Sequence, residues 1–162
     1  MEKIDDTDAH ILHLLQTDGR VKRTDIAEAV GLSIPSVSDR MRKLEARGVL
    51  TGFHATVDAK RLGQDVTAFV FVQSSGSEHY AEFVASVGAL DEVQELHSVT
   101  GDGSHVVKLR VQNTTALERT LARIQAVPGV RGTRTSLVLT THKETTYVPS
   151  RPMDLSPLDP AD

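Results

Sequence analysis

Apolar positions in the first third of the chain recur with helical spacing, whereas further on they switch between helical spacing and strict alternation. Ile11, Leu12, Leu14 and Leu15 form one helical face, opened by Asp5 and Asp8 as a capped start and closed at Gly19. Arg20 to Arg23 is a polar joint. Ile26, Ala27 and Val30 then predict a short second helix, with Thr24 as its expected cap and Gly31 as its stop. Two residues later Ser33 stands where an N-cap belongs, Pro35 falls in the first turn, and Val37, Met41 and Leu44 give a third helix its apolar stripe before Gly48 ends it. Two short helices, a Gly-containing turn and a third cationic helix match a helix-turn-helix unit, in which the second member of the pair lies in the major groove.

After Gly48 the run from Val49 to Val57 reads as short extended strands around Gly52, a wing and linker reaching to Gln64. Beyond it, Val66 to Gln73 alternates as a strand, Tyr80 to Val87 is helical, and Val93 to Val99 is a second strand. Gly101 to Ser104 is a tight turn into a third strand, His105 to Val111. Thr115 and Glu118 are the expected capping box of a helix carrying Leu117, Leu121 and Ile124, and Gly132 to Thr141 is the last strand. The order βαββαβ is the ferredoxin-like motif, so the chain is α+β: a winged helix-turn-helix over 1–50, wing and linker over 51–64, a ferredoxin-like domain over 65–145. Residues 146–162, with several prolines, form a tail expected to be disordered. The Val and Leu content on both sides of the strands predicts that the sheet face away from its helices is covered by a second copy of the chain.

The formal net charge of −4 hides a local basic surface. Acids crowd the first eighteen residues, and the cations of the N-terminal region gather between Arg20 and Arg47. On the third helix Ser36, Arg40, Lys43 and Arg47 share the face opposite the apolar stripe. Ser33, Pro35, Ser36 and Ser38 are therefore candidates to approach bases or the nearest phosphates, with Arg40, Arg42, Lys43 and Arg47 supplying charge. The chain has no cysteine, which removes disulfides and thiolate chemistry. His10 and His13 lack further partners at ligand spacing, so no metal site is expected, and no nucleophile elbow surrounds the turn serine. The longest apolar run falls well short of the roughly 20 residues of a membrane span, and the first ten residues lack a signal-peptide pattern; a cytoplasmic protein is expected.

Stretches of residue identity run from Ile4-Asp5, Asp18-Gly19-Arg20 and Val30-Gly31-Leu32-Ser33 through Leu44-Glu45 and Gly52-Phe53 to Val99-Thr100-Gly101-Asp102 and Pro128-Gly129-Val130. In that order and spacing the chain resembles the Lrp/AsnC, or feast/famine, transcription regulators over residues 4 to about 145. The resemblance implies a RAM-type C-terminal domain and a homodimer that assembles further, often to an octamer. It also implies double-stranded promoter DNA as partner, no cofactor, and a small effector, usually an amino acid. The effector pocket of such proteins, placed between dimers, maps here onto Val99, Thr100, Gly101, Asp102, Gly103 and Ser104 with Thr135, Ser136 and Leu137. Backbone N–H groups of a Gly-Asp-Gly turn suit a carboxylate, and Asp102 suits an ammonium. Ser104 stands where relatives commonly carry a second acid. Two other readings share the architecture: a siroheme-decarboxylase-like enzyme, and an amino-acid-sensing module that binds no DNA.

Overall fold

Three short helices build the N-terminal unit, and each boundary has a local cause. In the computed structural model, which describes residues 4–101 and 103–150, helix α1 (Asp6–Thr17) is opened by the extended Asp5, whose carboxylate accepts from the Asp8 amide at 2.7 Å. Helix α2 (Arg23–Val30) starts after Lys22 with no side-chain cap. Thr24, the expected cap, instead donates its hydroxyl to Asp25 at 2.9 Å from inside the first turn. Helix α3 (Ile34–Ala46) is capped by Ser33 as expected, and Pro35 occupies its first turn.

Helices α2 and α3 end alike. The Gly31 amide bonds Glu28 O and Leu32 bonds Ala27 O, while Gly48 bonds Glu45 O and Val49 bonds Leu44 O. This paired pattern needs a left-handed residue, which Gly31 (φ 67°) and Gly48 (φ 69°) supply without a Cβ penalty. Val37, Met41, Ile11 and Ile26 share one buried cluster, and Leu44 packs with Ile4, Ala9 and Leu12 in a second.

The expected wing is corrected by the structure. Among the described residues, 49–57 contains no β-strand. Val49 and Leu50 both spend their amides on Leu44 O, so they close α3 and pack beneath it rather than start a ladder. The domain limits differ as well. Residues up to 56 belong to the first unit, 57–143 form the second, and the chain from 144 returns to the first. Residues 151–162 of the expected tail lie outside the described residues.

In the second unit a single 3₁₀ turn, Lys60–Leu62, is held by Asp58, whose carboxylate accepts from the Lys60 amide at 3.0 Å. Strands β1 (Val66–Ser74), β2 (Val93–Ser98), β3 (His105–Val111) and β4 (Val130–Leu137) form one antiparallel sheet in the order β2-β3-β1-β4, the ferredoxin-like order. Helices α4 (Tyr80–Gly88) and α5 (Thr114–Gln125) bury Phe83, Val87, Leu117 and Ile124 against Ala68, Val70, Val72, Val107, Leu109 and Val111. The cap of α5 is Asn113, accepting from the Ala116 amide at 2.9 Å, not Thr115. β4 is shorter than expected because its ladder ends where β1 begins, at the Val138 amide bonded to Thr67 O.

Candidate DNA interface and effector turn

The N-terminal half of α3 presents Ser33, Ile34, Pro35 and Ser36 to solvent, with Ser38 partly covered. The cap that starts the helix also orders this tip: Ser33 and Ser36 share a hydroxyl hydrogen bond of 2.8 Å while Ser33 accepts from the Ser36 amide. One turn on, Arg42 and Lys43 are exposed and both pair with Asp39, Lys43 at 3.2 Å. Hydrogen bonds from Arg42 and then Lys43 hold the Asp39 carboxyl below its usual range. The acid thus aligns two cations along one edge of the helix. A groove of about 620 Å³ runs beside this edge between the start of α1 and α3, with Pro35, Ser36, Lys43 and Arg47 among its lining residues.

Arg40 does not sit with the exposed cations. Its guanidinium Nη1 donates to Asp8 at 2.7 Å and to Asp5 at 2.8 Å, and the Asp8 side chain is only 8% exposed. In the free protein Arg40, expected to approach DNA, ties the recognition helix to the first turn of α1. Burial pulls against ionisation of Asp5, but the Asp8 amide and Arg40 outweigh it and hold the carboxyl below its usual range. Its hydrogen bonds to Asp8 and then Asp5 raise the Arg40 pKa further. The acids that pair with Arg40 lie at the start of another helix, α1.

Sequence reasoning assigned no DNA contact to Arg20, Lys22 and Arg23, although it placed them in the basic region. All three side chains are exposed, and Lys22 and Arg23 begin α2, whose first amides receive no side-chain cap. A helix start of this kind, flanked by cations, is suited to a phosphate.

In the second unit the turn between β2 and β3 is anchored to β1. Ser104 donates its amide to Val72 O at 2.8 Å, and its hydroxyl meets Val72 O, Ser74 Oγ at 2.7 Å and His105 Nδ1 at 2.9 Å. Gly101 is left-handed (φ 109°), and a Cβ on Gly103 would stand 3.0 Å from Val72 O, so both glycines are required by the turn's path. Asp102 lies outside the described residues. His105 is buried against Phe83, with ring centroids 4.5 Å apart, and burial lowers its pKa. Val72 pairs with both His105 and Thr133, whereas Thr135, Ser136 and Leu137 pair with Val70, Phe69 and Ala68. The three β4 residues thus sit two to four positions, about 7–14 Å, along the sheet from the level of the turn, on the far side of β1. Ser136 also faces opposite to Thr135 and Leu137. One protomer does not bring these two groups together.

Residues 4–45 match the AsnC-type helix-turn-helix domain and residues 67–148 the Lrp/AsnC ligand binding domain. The HTH-type transcriptional regulator FL11 of Pyrococcus horikoshii is 37% identical over 146 residues, covering 90% of this chain and 96% of its own. Among solved structures, a feast or famine regulatory protein from M. tuberculosis complexed with L-methionine superposes with a TM-score of 0.83 at 32% identity, covering 90% of this chain and 98% of that one. A transcriptional regulator from Neisseria meningitidis, also an L-Met complex, gives 0.84 at 27% identity, with 90% and 96% covered.

Proposed function

The chain belongs to the Lrp/AsnC family of DNA-binding transcriptional regulators, and from that premise we propose how it reads DNA and what it senses. The reading surface is the tip and outer edge of α3: Ser33, Pro35, Ser36 and Ser38 at base edges or the nearest phosphates, Arg42, Lys43 and Arg47 along the backbone. The exposed cations Arg20, Lys22 and Arg23 at the start of α2 add phosphate contacts that orient the unit on the duplex. The observation that carries this reading is the exposed, hydroxyl-bearing helix tip followed by two cations aligned by Asp39.

The effector is a small amino acid. Two relatives of the same fold are complexes with L-methionine, and the glycine turn before β3 offers backbone donors for a carboxylate. Because the turn and the 135–137 segment lie apart within a protomer, the pocket is completed by another copy of the chain. Phe69 and Phe71, half-buried on the sheet face without helices, with Arg134 stacked over Phe71 at 4.9 Å, supply a surface for the dimer.

Titration of the purified protein with DNA upstream of its own gene, in a salt series with and without a panel of amino acids, tests the whole reading. Selective binding that weakens steeply with salt and shifts with one amino acid supports it. Selective binding that no amino acid alters removes the effector assignment and leaves the DNA surface standing. Light scattering in the same buffers measures self-association, and a monomer at all concentrations overturns the shared pocket.

A further inference from the structure

After leaving the C-terminal unit at Lys143, the chain returns to the DNA-binding unit and lies on α1. The contacts are specific. Gln16 meets the main chain of Val148 from both sides, its amide nitrogen donating to Val148 O at 2.9 Å and its carbonyl accepting from the Val148 amide at 2.7 Å. A side-chain amide here takes the part of a neighbouring strand. One turn earlier His13 Nδ1 bonds the Tyr147 hydroxyl at 2.9 Å, with the two rings edge to face at 6.0 Å. One turn earlier again, Ser150 donates its hydroxyl to Ala9 O at 2.9 Å. Ala9, His13 and Gln16 follow at spacings of four and three, so residues 147–150 lie along one face of α1, Tyr147 and Val148 beside His13 and Gln16, and Ser150 nearer the helix start.

The adjoining strip of the same helix, which shares Ala9, holds the recognition helix. Ala9 and Leu12 pack with Leu44 of α3, and Asp5 and Asp8 grip Arg40. α1 is thus contacted along adjoining strips by α3 and by the segment that follows the C-terminal unit. The clasping bonds to Gln16 and His13 are exposed, and such bonds contribute little net stability in water, so the segment detaches at modest cost.

We propose that residues 144–150 are a detachable strap through which the C-terminal unit controls the DNA-binding unit. With the strap docked, α1 is held along adjoining strips by α3 and by the strap, and α3 is presented rigidly; with the strap released, α1 loosens and DNA affinity falls. Since Glu144 follows directly on the C-terminal unit, a change in how that unit holds its last residues acts on the strap without a relay. The inference rests on the DNA-binding function alone and not on the amino-acid assignment.

The test is the full chain carrying Gln16→Ala and Tyr147→Phe, read by hydrogen exchange and by DNA titration. In the wild type the Val148 amide exchanges slowly for an exposed residue. In the double variant that protection is lost, the C-terminal sheet keeps its own protection, and DNA binding weakens at least threefold. Gln16→Glu keeps the acceptor but not the donor and falls between the two. A Val148 amide unprotected in the wild type overturns the strap. Lost protection with unchanged DNA affinity overturns its regulatory role. Wild-type binding in the same titration separates either failure from a failure of the recognition helix.

Discussion

Removing the Arg40 side chain distinguishes a clamp from a reader. In Arg40→Ala the nearly buried Asp8 carboxylate loses the guanidinium at 2.7 Å, and Asp5 loses one at 2.8 Å. Stranding a fully buried charge costs about 3–5 kcal/mol, whereas an exposed pair is worth about 0–1 kcal/mol. Asp8 lies near the first limit and Asp5, half exposed, near the second, while the Arg40 side chain, 32% exposed, retains some water. A loss of about 2 kcal/mol follows, in line with a hydrogen bond to a charged group at about 1.5–3 kcal/mol. For a unit this small, that lowers the melting temperature by roughly 8–16 °C. Thermal unfolding of the full chain, with hydrogen exchange at α1 and α3 to identify the unit, measures it. The DNA readout is separate: a side chain that neutralises one phosphate adds about 0.9 to the slope of log K against log salt, so its removal flattens the slope by that much, and loss of a clamp leaves the slope unchanged. Arg40→Ala with wild-type melting and a slope flattened by about 0.9 would refute the clamp and return Arg40 to the DNA face. Asp8→Leu with Arg40→Met is expected to recover much of the stability, since an apolar pair removes both charges together.

Other consequences are equally direct. Burial depresses the His105 pKa, so the stability due to its neutral form is fully present above the ordinary histidine value of about 6.5 and is lost as pH falls through the lower folded value. His105→Phe, which keeps a ring beside Phe83, is expected to flatten that acid loss in melting curves between about pH 5 and pH 8; an unchanged pH profile would assign it elsewhere. Gly103→Ala forces a Cβ to 3.0 Å from Val72 O and is expected to cost about 1–3 kcal/mol in urea unfolding of the C-terminal unit. Ser33→Ala removes the α3 cap and is expected to cost about 1 kcal/mol in the same assay on the N-terminal unit, together with reduced DNA affinity.

Helix periodicity and strand alternation carried most of the fold. Ser33, Pro35 and Gly48 bounded α3 because each acts on its own backbone, and His105 to Val111 was legible because its buried face alternates without interruption. Errors arose where neighbours offer equivalent chemistry. Asn113, Thr114 and Thr115 can each cap a helix, and only the extended backbone at Asn113 (φ −159°) selects it. Val49 to Val57 has strand-like composition, but a strand is a pairing, and the amides of Val49 and Leu50 are already committed to Leu44. Spacing placed Arg40 on the polar stripe of α3 but could not reveal that Asp5 and Asp8, more than thirty positions away, pair with it. The separation of Thr135 to Leu137 from the turn is a matter of sheet register, which strand assignments alone do not fix.

The DNA-binding unit is closed by the last described residues rather than by its own neighbours in sequence. On the ribosome the three helices emerge first, and residues 57–143 then take on the order of 5–20 s to synthesise before the segment that lies on α1 exists. A nascent chain therefore carries its recognition helix before it carries the piece that clasps it. For the same reason, a tag fused after residue 150 is carried on the segment that clasps the DNA-binding unit, and measurements of DNA affinity on such a fusion report on the tag as well as on the protein.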